Sequence, residues 1–241
     1  MRPLRLSLAI VFCLLASLAC SGSPRPPADV GEGYTTTSPS RGGLGKVYMG
    51  REIAQYLSYH GIPWLEREDR VESERPDEVV KRLGLKPTDV VADIGAGSGY
   101  FSLRMARVVS EGRVLAVDIQ PEMLEALDER QKALGLSNIE GVLGSVESPN
   151  LPAASVDLVL MVDAYHEFSH PIEMMRGIVE SLKPGGRVVL IEYRGEDTFS
   201  RVHPLHKMTE LQVRREMKAA GLRWLKTLDF LPEQHMIVFG L

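Results

Sequence analysis

Val90-Val-Ala-Asp93-Ile-Gly-Ala-Gly-Ser-Gly99 is a β-branched run that enters a glycine-rich turn. An apolar helical stretch follows, then a second short run, Val114-Leu-Ala-Val-Asp118, that closes on a carboxylate. Strand, glycine turn, helix, strand and an acid about 20 positions on is the arrangement that cradles the nucleoside end of a cofactor at the carboxyl ends of parallel strands.

The details select the cofactor. In a Rossmann dinucleotide site the third glycine of Gly-x-Gly-x-x-Gly would fall at position 100, which is Tyr100; here the glycines are Gly95, Gly97 and Gly99, with Ala96 between the first two. Asp93 stands two residues before the loop, where a carboxylate repels a pyrophosphate and attracts an ammonium. S-adenosylmethionine carries an ammonium and a sulfonium and no phosphate. Asp118 is placed to accept hydrogen bonds from both ribose hydroxyls, and Ile119 to lie against the adenine.

On these residues the chain resembles the class I S-adenosylmethionine-dependent methyltransferases, over roughly Pro76 to Leu241. Asp93 to Gly99 is similar to the family's first motif and Asp118 to its ribose-binding acid. Gly144-Ser-Val-Glu147 stands where the family often has Gly-Asp-Ala-Glu, and Leu182-Lys-Pro-Gly-Gly-Arg187 resembles its turn before the fifth strand. The resemblance implies that Ser145 and Val146 border the adenine and that Asp163 belongs to the cofactor site. Ser145 replaces the aspartate that many relatives direct at the adenine amino group.

The expected fold is α/β: a Rossmann-like, seven-stranded, mostly parallel sheet with helices on both faces, in a single domain with an N-terminal helical cover. Expected strands are 90–94, 113–118, 139–143, 156–162, 187–193, 223–229 and 234–239, the last antiparallel by resemblance. Helices are expected at 76–84, 99–109, 121–134, 171–182 and 209–220, the last opened by the capping box Thr209-Glu-Leu-Gln212 and closed by Gly221.

Ahead of the domain, residues 1–20 have the layout of a secretory signal: basic Met1-Arg-Pro-Leu-Arg5, an apolar run from Leu6 to Leu18, then Ala19-Cys20. The ending resembles a bacterial lipoprotein signal and implies an exported, membrane-anchored protein. Residues 21–45, rich in Ser, Pro, Gly and Thr, read as a flexible linker, and 46–75 as a helical cover segment, its Glu66–Glu74 stretch a solvated helix surface. The domain proper spans 76–241. With 44% hydrophobic residues the 241-residue chain can bury one substantial core. Both cysteines, Cys13 and Cys20, lie in the leader. The formal charge of -4, without a basic block, argues against nucleic acid as partner.

Methyl transfer from a sulfonium needs alignment more than acid–base chemistry. Tyr165, His166 and Glu167 follow the fourth strand beside the expected methyl position, with Glu192 and Tyr193 nearby on the fifth; His166 is the base candidate by its intrinsic pKa, and Glu167 could orient it or bind a metal. His166-Glu-Phe-Ser-His170 also spells the zinc-protease pattern, but Pro171 and the preceding strand leave no helix to align the two histidines. His203 and His206 fall in a loop expected to wall the substrate pocket; a metal site shared with His166 is conceivable, but their spacing does not support one, and surface or helix-entry roles are expected. The sequence thus supports a methyltransferase acting on a small molecule, with a noncatalytic nucleoside-binding lipoprotein as the alternative, since an exported enzyme has no evident supply of a cytoplasmic methyl donor. It carries no signal for oligomeric state.

Overall fold

The computed structural model describes residues 29–31 and 33–241; the leader and positions 21–28 and 32 of the expected linker lie outside the described residues. The chain runs β1 (Asp29–Gly31), β2 (Tyr34–Thr36), β3 (Gly43–Tyr48), β4 (Arg51–Ala54), α1 (Ile62–Leu65), α2 (Arg70–Glu74), α3 (Pro76–Leu83), β5 (Val90–Ile94), α4 (Ser102–Val108), β6 (Arg113–Asp118), α5 (Pro121–Ala133) and β7 (Ile139–Leu143). It continues through β8 (Val156–Val162), α6 (Pro171–Ser181), β9 (Leu182–Arg194), β10 (Lys207–Met208), α7 (Glu210–Ala219), β11 (Arg223–Leu228) and β12 (Gln234–Gly240).

The central sheet has the order β11-β12-β9-β8-β5-β6-β7, with the two-residue β10 pairing alongside β9. Strands β7, β6, β5, β8 and β9 are mutually parallel, and β12 enters antiparallel between β9 and β11. Alternation along each strand feeds two cores. Val91, Leu158, Leu160 and Val189 join α3, α4 and α5 on one face, while Ala92, Val159, Met161 and Val188 join α6 and α7 on the other. This is the Rossmann-like, mostly parallel sheet with helices on both faces expected above. Helix ends follow the local signals: the Thr209 side chain accepts from Gln212 N at α7, and Gly84 (φ 62°) closes α3. Strand β9 begins earlier than expected, at Leu182, because Leu182 pairs with Val156 before the Lys183–Gly186 turn loops out and pairing resumes at Arg187.

The N-terminal segment departs from expectation. Residues 34–36 and 43–54 are not a linker and the start of a helical cover; they belong to a second, four-stranded antiparallel sheet, β1-β2-β3-β4. Its glycines are turn positions rather than flexible spacers. Met49 (φ 48°) and Gly50 (φ 90°) form a two-residue hairpin connection, the geometry that matches strand twist. Glu52 accepts from Ser40 N and Gly45 N, at 3.0 Å each, holding the preceding loop. Tyr34, Tyr48 and Ile53 then bury against Ile172 of α6. Only the later part of the segment is helical, as a 3-10 turn at Tyr59–Gly61, α1 and α2. Among the described residues no helix is long and apolar enough to cross a membrane.

Arg51 locks the small sheet to the large one. Its guanidinium makes a two-pronged ion pair with Glu216 of α7, 3.0 Å at each prong, and donates to the His166 carbonyl at 2.9 Å. Both side chains are nearly inaccessible, so removing the arginine strands a buried carboxylate. Arg51→Ala should lower the unfolding free energy by about 3–5 kcal/mol. Breaking the exposed Lys132–Asp128 pair by Lys132→Ala should change it little. Denaturant titration of both variants checks the contrast.

Candidate functional site

Where β5 and β6 end, the glycine turn is folded onto its neighbour strand. Gly95 N and Ala96 N donate to Val117 O at 2.9 and 3.0 Å, and Gly97 N donates to Asp118 Oδ2 at 2.9 Å. Gly95 and Gly97 have positive φ, and a Cβ on Gly95 would come within 2.7 Å of the Ala164 side chain. Gly99, at a positive φ of 84° as well, also serves packing, since a Cβ there would strike Leu127 of α5.

The turn opens into a cavity of about 730 Å³ that runs along the carboxyl ends of the parallel strands. Of the expected cofactor residues, Gly95, Gly97, Asp118, Ile119, Ser145, Val146 and Asp163 line it. Asp118 is buried but keeps acceptor capacity: its two oxygens take one backbone N–H each, from Gly97 and Gln120, leaving lone pairs for a diol. Burial raises its pKa, against the pull of those N–H donors. Asp163, at a positive φ of 48°, accepts from Gln234 through Oδ2 at 2.7 Å while its Oδ1 is buried without a donor. Burial and the charges of Glu74 and Glu192 push its pKa well up. An orphaned carboxylate oxygen in a cavity wall is an acceptor set for a cationic or N–H-bearing ligand group.

The other three, Asp93, Ala96 and Gly99, stand elsewhere, Gly99 packed on Leu127. Asp93 and Ala96 border a small adjoining cleft of about 40 Å³ beneath the loop, and Asp93 accepts from the Ser102 hydroxyl at 2.6 Å. Its carboxylate therefore anchors α4 under the turn, and Asp163 takes the place facing the main cavity. Ser145 Oγ accepts from Glu147 N and Ser148 N, so the serine shapes its own turn while bordering the cavity.

The 3-10 turn Tyr165–Glu167 sorts the three catalytic candidates. Tyr165 is corrected: its ring lies in the core beside α6 and α7, and its hydroxyl donates to Glu216 at 2.8 Å, away from the cavity. His166 and Glu167 do face the cavity. His166 Nδ1 lies 2.6 Å from the fully buried Glu192 carboxylate and Nε2 lies 2.9 Å from His206 Nδ1. Burial disfavours the charged imidazole, but Glu192's charge and hydrogen bond outweigh that and raise the pKa. Glu167 is raised to about 7, mainly by burial, and its Oε2 accepts from Leu57 N at 3.1 Å. His206 falls to about 4 through burial and the neighbouring His166 and His203. His170, the second histidine of the protease-like pattern, instead contacts Ser169 and Glu147 at the start of α6.

Sequence reasoning expected a helical cover over 46–75 and missed that Tyr56 and Leu57 of this roof lie in irregular chain. Tyr56, Leu57, Trp64 and Leu65 overhang the cavity, tied down where Tyr59 N donates to Gln120 Oε1 and Gln120 Nε2 donates to Leu57 O. It also misplaced Arg70 and Glu74, which are not solvated helix surface but a buried pair at 2.7 Å that lines the cavity, with Arg70 over the Tyr100 ring. Their i,i+4 spacing was visible; the aromatic that receives the arginine was not.

A family model described as a methyltransferase domain matches positions 91–186, the stretch from β5 to the turn within β9. That match takes in both strand ends and the glycine turn of the cavity. A solved S-adenosylmethionine-dependent methyltransferase from Aquifex aeolicus superposes with a TM-score of 0.72 at 26% identity, covering 76% of this chain and 98% of that one. A tRNA U34 carboxymethyltransferase from Desulfotalea psychrophila is 36% identical over 106 residues, 42% of this chain and 31% of the relative. The ubiquinone/menaquinone biosynthesis C-methyltransferase UbiE of Ectopseudomonas mendocina is 29% identical over 134 residues, 54% of this chain and 52% of the relative. The chain thus spans about half or less of these two relatives, and their acceptors differ in kind. The fold is that of S-adenosylmethionine-dependent methyltransferases, and the donor-free Asp163 oxygen with the half-occupied Asp118 fits that cofactor.

Burial raises the Asp93 pKa to about 6, above the 3.8 of an unperturbed aspartate. Between those values the native state holds more protons than the unfolded chain, so this group's contribution makes ligand-free stability fall as pH rises from about 4 to 6. Asp93→Asn keeps an acceptor for Ser102 and should remove that fall. Its stability relative to the wild type should therefore increase between pH 4 and pH 8, measured by denaturant unfolding; a pH-independent difference would contradict the assignment.

Proposed function

We propose that this protein transfers the methyl group of S-adenosylmethionine to a small-molecule acceptor. The observation that carries the reading is the continuity of the cavity. The glycine turn, Asp118 and Asp163 with its donor-free oxygen share one cavity with His166, Glu167 and His206, and Tyr56, Leu57 and Trp64 line it too. Its volume lies within the range of about 300–1,000 Å³ that encloses small ligands, and its walls are largely apolar. When bound, S-adenosylmethionine supplies a methyl group already activated on a sulfonium. Asp118 would hold the ribose diol and Asp163 the ammonium, with Ile119 and Val146 against the adenine. His166, fixed by Glu192, and Glu167 would then face the acceptor and orient its nucleophilic atom, the alignment on which such displacements depend.

The acidic chain, with a covered rather than open and basic cleft, supports a small molecule over nucleic acid. The layout of residues 1–20 supports export and lipid attachment at Cys20, and with the apolar roof it favours a lipid-like or quinone-like acceptor.

Isothermal titration tests the reading. S-adenosylmethionine and its demethylated product should bind in the micromolar range. Asp118→Ala should weaken both by roughly tenfold to a hundredfold, the loss of one or two hydrogen bonds to a charged acceptor. Transfer of labelled methyl to an acceptor from a lipid and quinone panel should accompany binding. Absence of binding would sink the proposal; binding without transfer to any acceptor would favour a noncatalytic nucleoside-binding role.

A further inference from the structure

We propose that His166 Nε2, Glu167 Oε1 and His206 Nδ1 form a site for a divalent transition-metal ion, with open coordination positions facing the cavity for an oxygen donor of the bound acceptor. The three residues come from two segments 40 positions apart, and each offers one ligand atom to a common point. The separations are 2.9 Å between the two histidine nitrogens, 3.8 Å from His166 Nε2 to Glu167 Oε1 and 3.6 Å from His206 Nδ1 to the same oxygen. A circle through three atoms so spaced has a radius of about 2.0 Å, close to zinc–nitrogen and zinc–carboxylate bond lengths of about 2.0–2.2 Å. A metal displaced slightly out of that plane lengthens all three bonds by about 0.1 Å and stays within range.

The surroundings are those of a ligand set. His166 Nδ1 is 2.6 Å from Glu192, so with Nδ1 carrying the proton the lone pair is on Nε2, the atom that faces His206. A carboxylate behind a ligating imidazole fixes ring orientation and tautomer and raises basicity. Glu192 itself is inaccessible on β9, between β8 and β12, and cannot turn away. Glu167 is positioned from the other side by Leu57 N on its Oε2, which leaves Oε1 for the metal. Two imidazoles and one carboxylate are borderline donors that suit zinc, iron(II) or cobalt(II), and magnesium and calcium poorly. All three residues line the cavity wall, so a metal with three protein ligands would present its remaining positions to the acceptor compartment. Metal binding stands on this cluster alone, and the acceptor as a further ligand rests on the proposed methyl transfer.

Cobalt(II) serves as the probe, titrated into the full chain without an affinity tag after treatment with chelator. One equivalent should bind with the visible d–d absorption of a low-coordinate nitrogen and oxygen site, and zinc(II) should displace it. His206→Ala, at a partly exposed loop position, should weaken binding at least tenfold, and so should Glu167→Gln. His60→Ala, an exposed histidine on the cover, should bind as the wild type does. Affinity for the demethylated cofactor should be unchanged in His206→Ala, which separates failure of the metal site from failure of the methyltransferase reading. No stoichiometric cobalt binding, binding unaltered by His206→Ala, or sulfur-to-cobalt charge-transfer bands pointing to Cys13 or Cys20 would each overturn the proposal.

Discussion

The cavity depends on the attachment of one strand end to another. Gly95, Ala96 and Gly97 turn their N–H groups onto Val117 and Asp118, so the loop after β5 is fastened to the end of β6. That fastening holds the backbone in left-handed conformations at Gly95 and Gly97 and leaves room where side chains would collide with Ala164 and Leu65. It also settles what Asp118 can do, because Gly97 N takes one lone pair of Oδ2 and Gln120 N one of Oδ1, and the other acceptor positions are left for a ligand. Beneath it, Ser102 and Asp93 pin the start of α4, and the loop has rigid support on both sides.

A second set of constraints shapes the acceptor end. Strand β8 stops at Val162, and the positive φ of Asp163 swings the chain into a single 3-10 turn. Within that turn Tyr165 goes to the core and its hydroxyl to Glu216, while His166 and Glu167 go to the cavity. Glu216 also receives Arg51, so the turn, α7 and the small N-terminal sheet share one buried carboxylate. The roof and the reactive end of the cavity are therefore mechanically joined, and a change in the small sheet would be felt at His166 through Arg51's bond to its carbonyl.

The central sheet was legible because each parallel strand is a short β-branched run with a clear stop; 90–94, 113–118, 139–143 and 156–162 agree with the structure residue for residue. The cofactor end was legible for the same reason, since its residues sit at strand ends a few positions from the motif glycines. Residues 34–54 were not, because few apolar side chains and many glycines look the same in a tether and in a small sheet whose hairpins need positive φ. Arg70 and Glu74 were read as solvated because a charged i,i+4 pair carries no mark of what covers it. His206 was legible as part of a loop walling the pocket, but its pairing with His166 had no support in spacing, because the β10 pairing with β9 that ends this loop spans only two residues.

The central claim is that Asp118 and Asp163 receive the two polar ends of one S-adenosylmethionine-type ligand. A crystal structure of the protein with S-adenosylhomocysteine tests it most directly. The account predicts the ribose hydroxyls on the Asp118 carboxylate, the amino group at Asp163 Oδ1, the adenine between Ile119 and Val146, and the sulfur directed toward His166 and Glu167. Ligand density outside this cavity, or a ribose that leaves Asp118 untouched, would contradict it.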